Sequence, residues 1–222
     1  MMLEQIRGGL VVSCQALPKE PLHSSFIMGK MAVAAKLGGA VGIRAQGKDD
    51  IMEIKRNVDL PIIGIVKRNY PDSDIYITPT KAEVLELLET GCEMIALDAT
   101  LRRRPNDEKL ETLVALIKEQ GVLTMADCST FEEAKIAAEM GFDCVSTTLC
   151  GYTPYSKVMD GPNLDFIEKM VNELTIPVIA EGKINTPEDL VAVMEKKCHS
   201  AVVGGAITRP QYITARFSAV LK

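Results

Sequence analysis

Histidine is scarce in this chain: His23 and His199 are the only two among 222 residues. Catalytic transition-metal sites usually draw on two or more imidazoles with carboxylates. His199 precedes an apolar run and falls on the face away from the strand ends, so only His23 is placed to help, and a metal-free chemistry is expected. The six cysteines (Cys14, Cys92, Cys128, Cys144, Cys150 and Cys198) contain no CxxC pair, and no ligand pair has zinc-site spacing. They read as small, reduced, buried thiols of a cytoplasmic protein. No apolar run is long enough to cross a membrane. Arg7 and the Gly8-Gly9 pair interrupt the first residues, so no secretory leader is expected. The net charge of −5 is carried without any block of like charge. The one basic cluster, Arg102-Arg103-Arg104, is followed by Pro105 and reads as a solvated loop, so no nucleic-acid footprint is expected. No GxGxxG follows the first apolar run, which argues against dinucleotide binding.

What the chain does have is a regular alternation. The apolar share of 47% is that of a globular protein. Apolar runs of strand length recur about every 25 to 30 residues, with helical patterns between them. The strands are expected at Leu10–Gln15, Ala40–Arg44, Ile62–Val66, Met94–Leu97, Leu123–Ala126, Cys144–Thr148, Pro177–Ala180 and Ala201–Val203. The helices between them include Ser25–Leu37, one from about Asp107 to Gln120, one capped by Ser129 or Thr130, and Leu164–Leu174. Gln211–Leu221 closes the series. Two longer loops interrupt the pattern: Arg68–Thr78, which carries a short β-like piece, and Leu149–Asn163. Eight uninterrupted βα repeats with apolar strands predict a closed parallel sheet covered by helices, a (β/α)8 barrel formed by residues 1–222 as one domain.

The C-terminal strand ends of such a barrel share one site. Reading them off gives Gln15, Arg44, Lys67, Asp98, Asp127, Thr147 or Thr148, Glu181, and Gly204-Gly205 with Arg209. For a single residue a solvated loop charge is as good a reading as a functional one; six converging charges are harder to explain that way. The stretch PVIAEGKINTPEDL…AVVGGAITRP (177–210) runs strand, loop, helix, strand, glycine pair and short helix. The last two units of a barrel make a phosphate cup in this way, because glycine lets backbone amides approach an anion and the short helix turns its positive end toward it.

Lys67 lies at this mouth, where burial and Arg44 both disfavour its charged form. A lysine so tuned can take a proton from carbon or form a Schiff base; the bland alternative is an ion pair with Asp98 or Asp127. Glu181 can serve as a second acid or base, or bind substrate and poise Lys67. Asp127 can bind hydroxyls or steer the lysine. Arg209 and the glycine amides suit a terminal phosphate. The residues alone leave open an acid–base isomerase, a Schiff-base phosphosugar aldolase and a non-catalytic phosphosugar sensor.

With these residues assembled, the chain resembles the bacterial N-acetylmannosamine-6-phosphate 2-epimerase family along its whole length. The motifs that carry the resemblance are VSCQA (12–16), PLHSSFIM (21–28), GIRA (42–45), PIIGIVKR (61–68), ALDAT (96–100), MAD (125–127), GFDCVSTTLCGYT (141–153), IAEGKINTP (179–187) and AVVGGAITRP (201–210). The resemblance implies a (β/α)8 fold and a cytoplasmic role in sialic acid and amino-sugar catabolism. The implied reaction interconverts N-acetylmannosamine 6-phosphate and N-acetylglucosamine 6-phosphate. It further implies Lys67 and Glu181 as the catalytic pair, and Gln15, Arg44 and Asp127 as ligands of the sugar. Gly182, Lys183, Gly204, Gly205 and Arg209 would form the phosphate site. Family members use no metal or cofactor and are often dimers, sometimes through the last helix, here Gln211–Lys222.

Overall fold

The structure, a computed structural model, describes residues 1–221. Eight strands pair in parallel and in chain order, and the last closes on the first. They are β1 (Leu10–Cys14), β2 (Gly42–Gln46), β3 (Ile62–Ile65), β4 (Met94–Asp98), β5 (Leu123–Asp127), β6 (Cys144–Ser146), β7 (Val178–Glu181) and β8 (Ser200–Val203). The helices are α1 (Met2–Ile6), α2 (Ser25–Leu37), α3 (Lys48–Asn57), α4 (Lys81–Leu88), α5 (Leu110–Glu119), α6 (Phe131–Met140), α7 (Leu164–Glu173), α8 (Pro187–Glu195), α9 (Gly205–Thr208) and α10 (Pro210–Ala219). This is a (β/α)8 barrel.

Side chains alternate across each strand, so one parity fills the barrel and the other packs against the helices. Ile63 and Ile65, Met94 and Ala96, Met125, Cys144, Ile179 and Val202 share the inner core. Their neighbours Ile62, Ile95, Leu97, Ala126, Val145 and Val178 face the helices. The inward parity, followed toward the C-terminal ends, leads from apolar residues to polar ones. Ile63 and Ile65 are continued by Lys67, Met94 and Ala96 by Asp98, Met125 by Asp127, Cys144 by Ser146 and Thr148, Ile179 by Glu181, and Val202 by Gly204. The same rule makes Arg44 an inward residue in the middle of β2, with Gln46 closing the strand.

Helices begin where short polar residues can satisfy the free amides of the first turn. Thr80 with Glu83, Thr130 with Glu133 and Thr186 with Asp189 each form a reciprocal cap. Gly64 lets the helix layer approach β3 closely, since a Cβ there would lie 2.8 Å from the Cys92 sulfur.

One expectation needs correction, and two features add to the rest. The five-residue α1 was not foreseen; it plugs the bottom of the barrel with buried Met2 and Ile6. His199 Nε2 donates to the Leu3 carbonyl (2.7 Å) and ties the plug down. The arginine cluster is not a solvated loop. Arg104 is buried and donates to the carbonyls of Thr78, Pro79 and Asp98, and Arg102 pairs with Asp98 at 2.6 Å; only Arg103 lies at the surface. Finally, the β-like piece in the 68–78 loop is folded back into the barrel rim. Lys67 and Ile77 pair antiparallel, the Thr78 amide donates to Val66 O (2.7 Å), and the Asp98 amide donates to Ile77 O (3.2 Å). This segment fills the gap where β3 and β4 diverge and fixes the backbone of Lys67.

Candidate active site

A cavity of about 350 Å³ opens at the C-terminal end of the barrel, in the size range of small-molecule sites. Gln15, Arg44, Lys67, Glu181, Gly182, Lys183, Gly204, Gly205 and Arg209 all line it. Asp127 does not. It lies one layer below, fully buried beneath Arg44.

The floor is an ion cluster. Arg44 Nη2 donates to Asp127 Oδ2 at 2.6 Å and Arg44 Nη1 to Asp127 Oδ1 at 3.0 Å, with side chains 1% and 0% exposed. Nη1 also donates to Glu181 Oε2 at 2.7 Å. Burial alone would weaken the charge of Arg44, but Asp127 and Glu181 more than offset it and hold the guanidinium firmly protonated. Two hydroxyls complete the cluster. Ser146 Oγ donates to Asp127 Oδ1 at 3.0 Å, and Thr148 Oγ1 lies 2.8 Å from Asp127 Oδ1 and 2.9 Å from Glu181 Oε2. Arg44 Nε and Gln15 Oε1 are buried without a partner among the described residues.

Lys67 stands above this floor. Among the described residues no carboxylate lies within ion-pair distance of it, so the ion pair with Asp98 or Asp127 that the sequence allowed does not form. Asp98 is engaged instead by Arg102 and Thr100. Burial, then Arg44 and Arg209, push the Lys67 ammonium down to about 8, against the pull of Glu181 and Asp127. Burial and the neighbouring Asp127 push the Glu181 carboxyl up, against Arg44, Thr148 and Lys67. Lys67 follows β3 and Glu181 ends β7, four strands apart in a ring of eight, so the two groups come from opposite walls of the barrel. Pairs of titratable groups whose surroundings displace their pKa values in this way are a mark of acid–base sites.

At the β7–β8 side the cavity becomes an anion cradle. Gly182 and Lys183 both take positive φ, 101° and 56°, turning the chain sharply after Glu181. The opening amides of α9, at Gly205 and Ala206, have no acceptor among the described residues, as the first turn of a helix leaves them. Arg209 borders the same space, held by Glu20 (Nη2 to Oε2, 3.0 Å). Lys183 also borders it, with its ammonium donating to the Met159 carbonyl.

A sequence model of the NanE family, described as "Putative N-acetylmannosamine-6-phosphate epimerase", matches residues 28–222. The chain belongs to this family. Two curated relatives carry the name "Putative N-acetylmannosamine-6-phosphate 2-epimerase". One, from Clostridioides difficile strain 630, is 66% identical over 97% of each chain. The other, from Clostridium perfringens strain SM101, is 62% identical over 100% of each. The solved N-acetylmannosamine-6-phosphate 2-epimerase of C. perfringens superposes with a TM-score of 0.98 at 61% identity, covering 99% of this chain and 96% of that one. A thiamine phosphate pyrophosphorylase from Pyrococcus furiosus, at 18% identity and TM-score 0.62, shares the fold alone.

Within the epimerase-family cavity the structure adds residues that the strand-end reading missed. Ser13 and Tyr76 line it, and so do Tyr152, Asn185, Tyr212 and Arg216. Ser13 could have been found by parity, two positions before Gln15. Tyr76 could not, because only the refolded 68–78 segment brings it to the cavity.

Proposed function

We propose that the chain is a one-domain epimerase that interconverts N-acetylmannosamine 6-phosphate and N-acetylglucosamine 6-phosphate by moving a proton at C2, without metal or cofactor. The observation that carries this reading is the unpaired Lys67, with its pKa brought down to about 8, facing Glu181 across a cavity that ends in an anion cradle.

In the open-chain sugar the C1 aldehyde acidifies the C2 hydrogen. Neutral Lys67 takes that proton, leaving an enolate whose oxygen needs a donor; Arg44 and the Gln15 amide border the same space. Glu181 governs return of the proton to the other face, by its cavity-facing oxygen or through a substrate hydroxyl bonded to it. Asp127 acts from below. It keeps Arg44 charged and in place, which revises its expected role from sugar ligand to support. Gly182, Lys183, Gly204, Gly205 and Arg209 hold the phosphate, and that remote binding energy fixes C2 in line with Lys67.

The same reading places the enzyme in the cytoplasm, in amino-sugar catabolism; no helix among the described residues is long and apolar enough to cross a membrane. It also makes the protein a homodimer through the last helix. α10 has no buried residue, and Phe217, Val220 and Leu221 near its end are 73%, 82% and 87% exposed.

The test is proton NMR of N-acetylmannosamine 6-phosphate with the protein in D2O containing EDTA. Loss of the C2 proton together with growth of the gluco epimer is expected. Retention of that proton refutes the reaction, and exchange that returns only with added divalent metal refutes the metal-free chemistry.

A further inference from the structure

The two carboxylates of the floor share a small stock of hydrogens. Arg44 Nη1 has two, one toward Asp127 Oδ1 and one toward Glu181 Oε2. The Ser146 and Thr148 hydroxyls have one each and are also within hydrogen-bond reach of one another. Ser146 reaches Asp127 Oδ1 (3.0 Å), whereas Thr148 lies within reach of both carboxylates. Both guanidinium nitrogens serve Asp127, Nη1 on Oδ1 and Nη2 on Oδ2, and Ser146 donates to Asp127 or to Thr148; the hydroxyl hydrogen that reaches Glu181 Oε2, beside that of Arg44 Nη1, is the one on Thr148. Glu181 Oε2 is then fully occupied as an acceptor. Its partner Oε1 makes no hydrogen bond among the described residues, and Glu181 lines the cavity. A proton on Oε2 would point at the Arg44 N–H, or would force Thr148 to turn its hydrogen away to Asp127 Oδ1 or to Ser146.

We infer that Thr148 is a positioning residue: together with Arg44 it reserves Oε2 of Glu181 as an acceptor, so that Oε1 alone deals with the substrate. The inference rests on the reading of Glu181 as the proton-active partner of Lys67. Thr148 does not exchange a proton itself. It keeps one oxygen of Glu181 occupied and so fixes the direction in which the other presents its lone pair or its proton. The charged and titratable groups facing Glu181 are Arg44 from β2, Lys67 beyond β3, Asp127 from β5 and Tyr152 from the β6–α7 loop. Thr148 is the neutral donor among them, and its hydrogen bond favours the ionised carboxylate.

The experiment compares Thr148→Val, which keeps the shape, with Thr148→Ser, which keeps the hydroxyl, and uses Glu181→Gln to identify the limb of the kcat/KM pH profile that belongs to Glu181. Thr148→Val is expected to lower kcat about 10- to 100-fold with KM within about twofold. It should also move the Glu181 limb to higher pH by about one unit, because a donor to the ionised form is lost. Thr148→Ser is expected to restore both. Near-UV circular dichroism checks the fold of each variant, and Thr148→Ala replaces Thr148→Val if valine does not pack. An unmoved limb in the variant lacking the hydroxyl, or equal losses in the valine and serine variants, overturns the inference while leaving Glu181 in its role. A profile and rate unchanged in Glu181→Gln overturns the underlying reading, and the inference with it.

Discussion

Replacing Lys67 with methionine should abolish turnover and make the protein more stable at neutral pH. The amine is placed where its charge is unwelcome: partly desolvated, with Arg44 and Arg209 nearby and no carboxylate in contact. Its folded-state value falls from 10.5 to about 8. A fall of about two and a half units, at about 1.36 kcal/mol each, sets an upper bound of about 3 kcal/mol on the penalty. Water in the open cavity screens part of this, leaving roughly 1–2 kcal/mol. The sign follows from the depressed value. Below about 8 the folded state must hold an unfavourable ammonium, and the full penalty is present. As pH rises from about 8 toward 10.5 the unfolded chain binds the extra proton instead, and the penalty fades. Methionine, similar in length and uncharged, removes it at every pH. For a chain of this size the gain at pH 7 is about 2–8 °C in Tm. Paired urea titrations of the two proteins at pH 7 and pH 10, at unchanged m value, measure the gap directly. A methionine variant no more stable than the parent at pH 7, or a gap of the same size at both pH values, refutes the argument that burial and like charge tune this lysine.

Three further outcomes follow from the same geometry. In the parent enzyme kcat/KM should rise about tenfold per pH unit below about 8 and level off above it, as Lys67 becomes the free amine; a profile flat from pH 6 to 9 contradicts the assignment of the base. Arg44→Met strands Asp127 and Glu181 without their shared cation, and urea titration should register a loss of about 3–5 kcal/mol; a neutral change would mean that the pair contributes little. Arg209→Ala removes a cation from the phosphate end and, for Lys67, only the influence that ranks after burial and Arg44, so KM should rise about 10- to 100-fold with kcat within a fewfold; an unchanged KM places the phosphate elsewhere.

The barrel was legible because its strands are nearly continuous apolar runs, and both faces of a parallel barrel strand are buried. That same continuity hides which parity faces inward. Arg44 could be read as a strand end, but it lies mid-strand and points into the barrel from there. Asp127 was recognisable as an important carboxylate; its depth below the cavity was not, because depth depends on where Arg44 of another strand places its guanidinium. Arg104 reads as a surface charge by type, and becomes a buried bracket only because three carbonyls, two from the loop after β3 and one from the end of β4, converge on it. The α1 plug was invisible for a different reason. It has one turn and a half of helix with Arg7 and two glycines behind it, and it holds together only against the barrel floor.

The ion pairs of the mouth join parts of the chain that are far apart in sequence. Arg44 and Glu181 are 137 positions apart, and Glu20 and Arg209 are 189 apart. The seam between β1 and β8 separates the two ends of the pocket wall until the sheet shuts. Such contacts form late, after the entropy of large loops has been surmounted. A partly folded or truncated chain would therefore carry the lysine but not the environment that makes it a base. During refolding, catalysis should return only in the final kinetic phase, so that the enzyme's own turnover reports the moment at which the ring closes.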